Sequence, residues 1–133
     1  MYKKTIVVGA GASGLFFGAA APASAGRDIL ILEKTDKIGT KLLMAGSGHC
    51  NLTHAGSIKE FLLCYGQNGS RIRTCLYRHN NLEYVRFIEN LGVPCSERED
   101  GKNFPSSMDG RDVHKARLRT AADNHVTIMN APP

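Results

Sequence analysis

The chain has 133 residues, 42% of them hydrophobic and 22% charged, and a formal net charge of +5. That mixture excludes a disordered chain and a membrane bundle, and its length allows one domain with a real core. Basic residues thicken at Arg71, Arg73 and Arg78 and from Arg111 to Arg119. With only Tyr65 and Tyr77 nearby to stack on bases, these clusters read as solvated faces rather than as a nucleic-acid surface.

Along the chain, periodicity predicts alternating strands and helices. Thr5 to Val8 is a short β-branched run followed by glycine, hence a buried strand, and Asp28 to Leu32 is a second. Between them, Ala12 to about Ala25 reads as a helix of small residues. Pro22 sits inside it, removing a hydrogen bond and clashing with the Gly18 carbonyl, at about 3 kcal/mol unless the helix bends. Asp36 to Gly56 reads as an extended, glycine-rich loop with at most a short helix around Thr40 to Met44. Ser57 to Leu63 and Arg71 to Arg78 predict short helices. Asn80 with Glu83 predicts a capping box, opening a helix that Gly92 and Pro94 close. Leu82, Val85, Ile88 and Leu91 share its expected core face. The chain continues with a strand or turn at Val93 to Ser96, a loop through "GKNFPSS", a helix near Arg111 to Asp123 and a strand "HVTIM" that can supply a third parallel strand. Strand, helix, strand at this spacing implies a right-handed parallel crossover and an α/β fold.

The segment Thr5 to Gly26 also has the layout of a secretory leader. It is uncharged, it follows Lys3 and Lys4, and it carries "ASA" before Gly26. Cleavage after Ala25 would remove the first strand and the glycine loop behind it, so the segment is read as part of the folded domain. Its five glycines and Pro22 make it a poor membrane span. Cys50, Cys64, Cys75 and Cys95 show neither C-x-x-C nor a zinc-like spacing, so no metal site is expected. They read as reduced thiols of a cytoplasmic protein.

The chemistry concentrates in the first third. Gly9, Gly11 and Gly14 form G-x-G-x-x-G directly after a strand: a tight turn, room for a pyrophosphate, and close helix–strand packing. The N–H groups of Ala12, Ser13 and Gly14 open the helix that follows, at the positive end of its dipole. Glu33 ends the second strand 19 residues after Gly14, where a carboxylate accepts from ribose hydroxyls. Its charge disfavours a 2′-phosphate, which selects NAD or FAD over NADP at this position. The long loop "KTDKIGTKLLMAGSGHCNLTH" suits a flavin dinucleotide, which several segments must wrap.

"VVGAGASGL", "ILEKTDKIGTKLLMAGSGHCNLTH", "FLLCYGQNGSRIRTCLYR", "FIENLGVPCSEREDGKNFPSS" and "VTIMNAPP" resemble, in that order, the N-terminal part of the BaiN-like NAD(P)/FAD-dependent oxidoreductases, flavoproteins that include aminoacetone oxidase-like members. The most specific elements are K-x-G-x-K running into G-x-G-x-C-N-x-T, and the Phe104–Pro105 pair. The resemblance implies that residues 1–133 are the N-terminal portion of a Rossmann-like FAD-binding domain, without its substrate domain or C-terminal flavin segment. It implies FAD as cofactor, NAD(P)H as a possible electron donor, a small-molecule substrate of unassigned identity and no membrane partner. By position, Gly9, Gly11, Ala12, Ser13 and Gly14 would line the pyrophosphate and Glu33, with Lys34 beside it, the adenosine ribose. Lys41 and the turn Gly46, Ser47, Gly48, His49, Cys50 and Asn51 would approach the phosphates and the flavin ring. The family usually has glycine at Ser47, arginine at His49, a basic residue at Thr40 and leucine at Arg117 and Ala121, so the last helix is expected to have lost much of its apolar stripe. Two other functions fit the residues less well: a non-catalytic nucleotide-binding remnant and a small basic nucleic-acid-binding protein. No catalytic acid or base is assigned; His54, His79, His114 and His125 read as surface residues, and Glu97, Glu99 and Asp100 as a solvated acidic run.

Overall fold

The computed structural model describes residues 3–130. They form two compact units: one runs to Cys50 and resumes at Asp109, and the other spans Asn51–Met108. The final Ala131, Pro132 and Pro133 of the "VTIMNAPP" motif lie outside the described residues. Among the described residues no helix is long and apolar enough to cross a membrane.

The first unit begins β1 (Thr5–Val8), α1 (Ala12–Ala20), α2 (Ala23–Gly26), β2 (Ile29–Glu33) and α3 (Thr40–Met44). The second holds β3 (Thr53–His54), α4 (Ile58–Cys64), α5 (Gly69–Arg78), α6 (Asn81–Asn90), β4 (Cys95–Glu97) and β5 (Lys102–Pro105). The chain then returns to the first with α7 (Gly110–Asp123) and β6 (Thr127–Asn130).

In the first unit a parallel sheet runs in the order β1-β2-β6, with Val8 beside Leu32 and Leu32 beside Met129. Alternation along β2 turns Ile29, Ile31 and Glu33 to one face. There Ile29 and Ile31 meet Leu15, Ala10, Ala121 and Val126 in the core. A Cβ at Gly18 would press on Ile31 and Ala121, so this small residue sets how closely α1 approaches the sheet and α7. The opposite face is bare: Val8 is 88% exposed and Ile6 59%. Parallel sheets are ordinarily covered on both faces.

The helix expected over Ala12 to Ala25 is instead two helices. Ala21 (ψ 137°) ends α1, and Pro22 (φ −64°, ψ 141°) serves as the N-cap of α2. Proline has no N–H to give the Gly18 carbonyl. Asn124, the C-cap residue of α7, supplies the missing donor: its Nδ2 lies 3.3 Å from the Gly18 oxygen and 3.1 Å from that of Ala19. The break is thus compensated by a side chain more than one hundred positions away.

The second unit is built locally. Its antiparallel sheet runs β3-β5-β4. Ser57 with Glu60 caps α4, and Asn80 with Glu83 caps α6, both as full capping boxes. Buried Asn81 ties α6 to the carbonyls of His54 (3.0 Å) and Gly56 (3.1 Å). Two expectations are corrected here. The "GKNFPSS" segment is not only a loop, because Asn103, Phe104 and Pro105 are buried as β5. Leu82 is exposed and Ile88 carries the buried face of α6, because the capping geometry turns Asn81 inward.

Candidate dinucleotide-binding site

The three glycines of the loop stand there for three different reasons. Gly9 has φ +98°, and its N–H donates to the Leu32 carbonyl at 2.7 Å. This turns the chain off β1 over the end of β2, in a conformation side chains rarely adopt. A Cβ at Gly14 would run into the Gly9 carbonyl, so α1 can start this close to β1 only with glycine there. Gly11 is different: its φ of −78° suits any residue, and a Cβ there would meet nothing within 4 Å. Neither backbone nor packing demands glycine at 11, and the space over it is open. Beside it, α1 opens with no side-chain cap and no acid in its first turn, with Ala12 and Ser13 exposed.

Glu33 closes the loop from below. Its Oε2 accepts from the Ala10 N–H (2.8 Å), and its Oε1 accepts from the Thr35 N–H (2.9 Å) and hydroxyl (2.8 Å). These bonds, those from Thr35 first, hold the carboxyl below its ordinary range, so it is charged at neutral pH. A carboxylate offers about four acceptor positions, and three are used here. Glu33 therefore locks the glycine turn and keeps acceptor capacity on Oε2.

The other expected residues divide. Lys34 and Lys41 are exposed at the end of β2 and on α3. Gly46, Ser47 and Gly48 form a left-handed turn, with φ of 57°, 56° and 88°. Ser47 adopts a conformation that favours glycine, which accounts for the glycine usual in the resembling family. The N–H groups of His49 and Cys50 already donate within the turn, to Gly46 (3.0 Å) and Ala45 (2.9 Å). They are therefore not free to grip an anion. His49 is exposed, and Asn51 opens the second unit.

Cys50 is buried against Gly110 at the start of α7. Burial pushes its thiol up, partly offset by the Arg117 guanidinium, so it is a packed thiol and not an activated nucleophile. Arg117 is the residue that sequence reasoning misjudged. It is only 2% exposed, and its Nη1 donates to the Ala12 carbonyl at 3.2 Å. The buried face of α7 is Val113, Ala116, Arg117 and Ala121, so an arginine stands in place of an apolar residue there, reaching the first residue of α1. The signal was present in the sequence, as a charged residue at an apolar position of the helix. His114, read as a surface residue, is half-buried: its Nε2 lies 2.9 Å from the Ile38 carbonyl, and its ring fills the space a Cβ on Gly39 would need.

The family described as HI0933-like protein Rossmann domain matches residues 3–132. The chain belongs to that family. This is the grouping read from the sequence, and the α/β parallel-sheet fold agrees with it. Among curated relatives, the family member is 34% identical over 103 residues to the ribosomal RNA dihydrouridine synthase of Haemophilus influenzae, covering 77% of this chain and 25% of the relative. It is also 34% identical over 103 residues to the 3-dehydro-bile acid delta(4,6)-reductase of Clostridium scindens, covering 76% and 24%. The chain thus spans about a quarter of the length of the relatives it matches. In fold it resembles the 3-ketosteroid-delta4-(5alpha)-dehydrogenase of Rhodococcus jostii, with a TM-score of 0.66 at 17% identity, over 97% of this chain and 38% of that one.

Proposed function

We propose that this HI0933-like chain is the FAD-binding portion of a flavin-dependent oxidoreductase. The observation that carries the reading is Gly11, a glycine with ordinary φ and open space above it, between an uncapped helix start and the Glu33 carboxylate. A pyrophosphate over Gly11 would receive the first-turn N–H groups of α1, and Glu33 Oε2 would accept from the adenosine ribose. FAD would supply the redox chemistry, accepting two electrons and passing them on. The chain itself supplies the cradle, the locked turn and the buried Arg117 charge behind α1. The bare face of the parallel sheet supports a portion of a larger FAD domain rather than a whole one. The Clostridium relative is named as a reductase of a bile acid, and the Haemophilus relative as a synthase of dihydrouridine in ribosomal RNA, a base two hydrogens richer than uridine. We therefore place the whole protein's activity in the reduction of an organic substrate, with NAD(P)H as a candidate donor.

The test is a visible spectrum after incubation with FAD and removal of the excess. The chain should turn yellow, and Gly11→Val should abolish the colour at a stability cost of about 1 kcal/mol, the N-cap preference for glycine over valine, since a Cβ there meets nothing within 4 Å. Glu33→Gln should weaken FAD at least about tenfold by replacing a charged acceptor with a neutral amide. A chain that stays colourless would instead be a non-catalytic remnant.

A further inference from the structure

The helix α5 carries three cations without compensation. Gly69, Ile72 and Leu76 turn inward, and Ser70, Arg71, Arg73, Thr74, Cys75, Tyr77 and Arg78 are all exposed. No carboxylate occurs between Glu60 and Glu83. Both of these flanking acids are engaged in capping boxes, Glu60 by the Ser57 N–H and hydroxyl and Glu83 by the Asn80 N–H. Two arginines elsewhere are neutralised by neighbours in sequence: Arg98 sits by Asp100, and Arg111 chelates Asp109 at 2.6 Å. Among the described residues Arg71, Arg73 and Arg78 form no ion pair. Arg73 is also pre-oriented, its guanidinium 5.6 Å from the centre of the Tyr77 ring.

Against the solvated-face reading of this cluster from sequence, we infer that the outer face of α5 is a contact surface for the phosphate backbone of structured RNA. Arg71 and Arg78 lie seven residues apart, so they project on one side of the helix about two turns, or roughly 10 Å, from each other. Arg73 stands over Tyr77 on the flank, and the Ser70 and Thr74 hydroxyls lie between as further donors. Planar guanidinium forks suit phosphate oxygens, and an exposed tyrosine suits an unpaired base. A small acidic or apolar substrate would need neither the length of this surface nor its separation into several cations. The choice of RNA as the polyanion rests on the ribosomal RNA side of the substrate reading above. The surface itself does not depend on FAD.

The probe is a fluorescein-labelled RNA hairpin with a uridine-rich loop, titrated by fluorescence anisotropy against the 133-residue chain at several salt concentrations. The unsubstituted chain should bind with steep salt dependence. The variant Arg71→Gln/Arg73→Gln/Arg78→Gln should bind at least about tenfold more weakly, its log–log salt slope shallower by about 2 to 3, roughly 0.7–0.9 for each phosphate left without its arginine. Arg27→Gln/Arg98→Gln/Lys115→Gln removes the same charge elsewhere and should stay within about twofold of the parent. Each single glutamine on α5 should remove a share of the slope, so misfolding of the triple variant would leave the question answerable. Absence of binding by the parent, an unchanged slope in the α5 variants, or an equal loss in the control overturns the proposal. A yellow chain that ignores the hairpin refutes this surface alone, whereas a colourless chain that binds it refutes the flavin site alone.

Discussion

The two units reach order by opposite routes. The second is contiguous and antiparallel, and two of its three α-helices are fixed by residues three positions apart: Ser57 with Glu60, and Asn80 with Glu83. The first is discontinuous and parallel, and its α1 depends on residues from the far end of the chain: Asn124 for the carbonyls that Pro22 strands, Arg117 for Ala12, Ala121 for Gly18. Local capping makes a segment robust and readable on its own. Distant capping makes the glycine loop conditional on α7 being in place.

The contrast can be broken experimentally, starting with the largest effect. Gly14→Val puts a branched side chain into the Gly9 carbonyl and should destabilise the first unit by about 3 kcal/mol or more, with loss of amide protection in β1 and α1. Amides of α6 should stay protected if the second unit is locally determined, and equal loss in both would end the comparison. Next, Asn124→Leu leaves the Gly18 and Ala19 carbonyls without that donor and should cost about 2 kcal/mol. Asn80→Ala, which removes a local cap in the second unit, should cost about 1 kcal/mol. Denaturant titrations of the two variants would rank them.

The smallest effect is a pH step. The folded Glu33 carboxyl lies below its ordinary value of 4.5, so the stabilisation it gives the glycine turn is complete above that value and is lost as pH falls through the lowered one. Glu60 is lowered in the same direction by Ser57 and gives the second unit a step of the same sign. Asp109, lowered to about 2 by Arg111, keeps its contribution until pH falls to about that value. Hydrogen exchange followed between pH 5 and about 2 should show the Ala10 amide losing protection in the parent chain and no such step in Glu33→Gln.

Much of this was legible in the residues. The G-x-G-x-x-G turn after a β-branched run, the acid at the end of "ILILE", the short helix at Thr40–Met44 and the Asn80 capping box all appear where spacing placed them. Each depends on a period or on neighbours within four positions, and a sequence displays such relations directly. Pro22 announced a disturbance in α1, and the structure resolves it as a break.

What the sequence by itself determined was therefore the local grammar: the strands of the parallel sheet, the glycine turn, the Asn80 cap and the family. Tertiary structure decided the rest. It showed that Gly11 faces open space while Gly14 does not, that Glu33 already holds three hydrogen bonds, and that Arg117 is buried beneath α1. The physical reason is distance along the chain. A side chain's burial and partners are fixed by residues one hundred positions away: the pattern of α7 marks Arg117 as a charge at an apolar position, but not that it reaches the Ala12 carbonyl while Arg111 and Arg119 stay exposed.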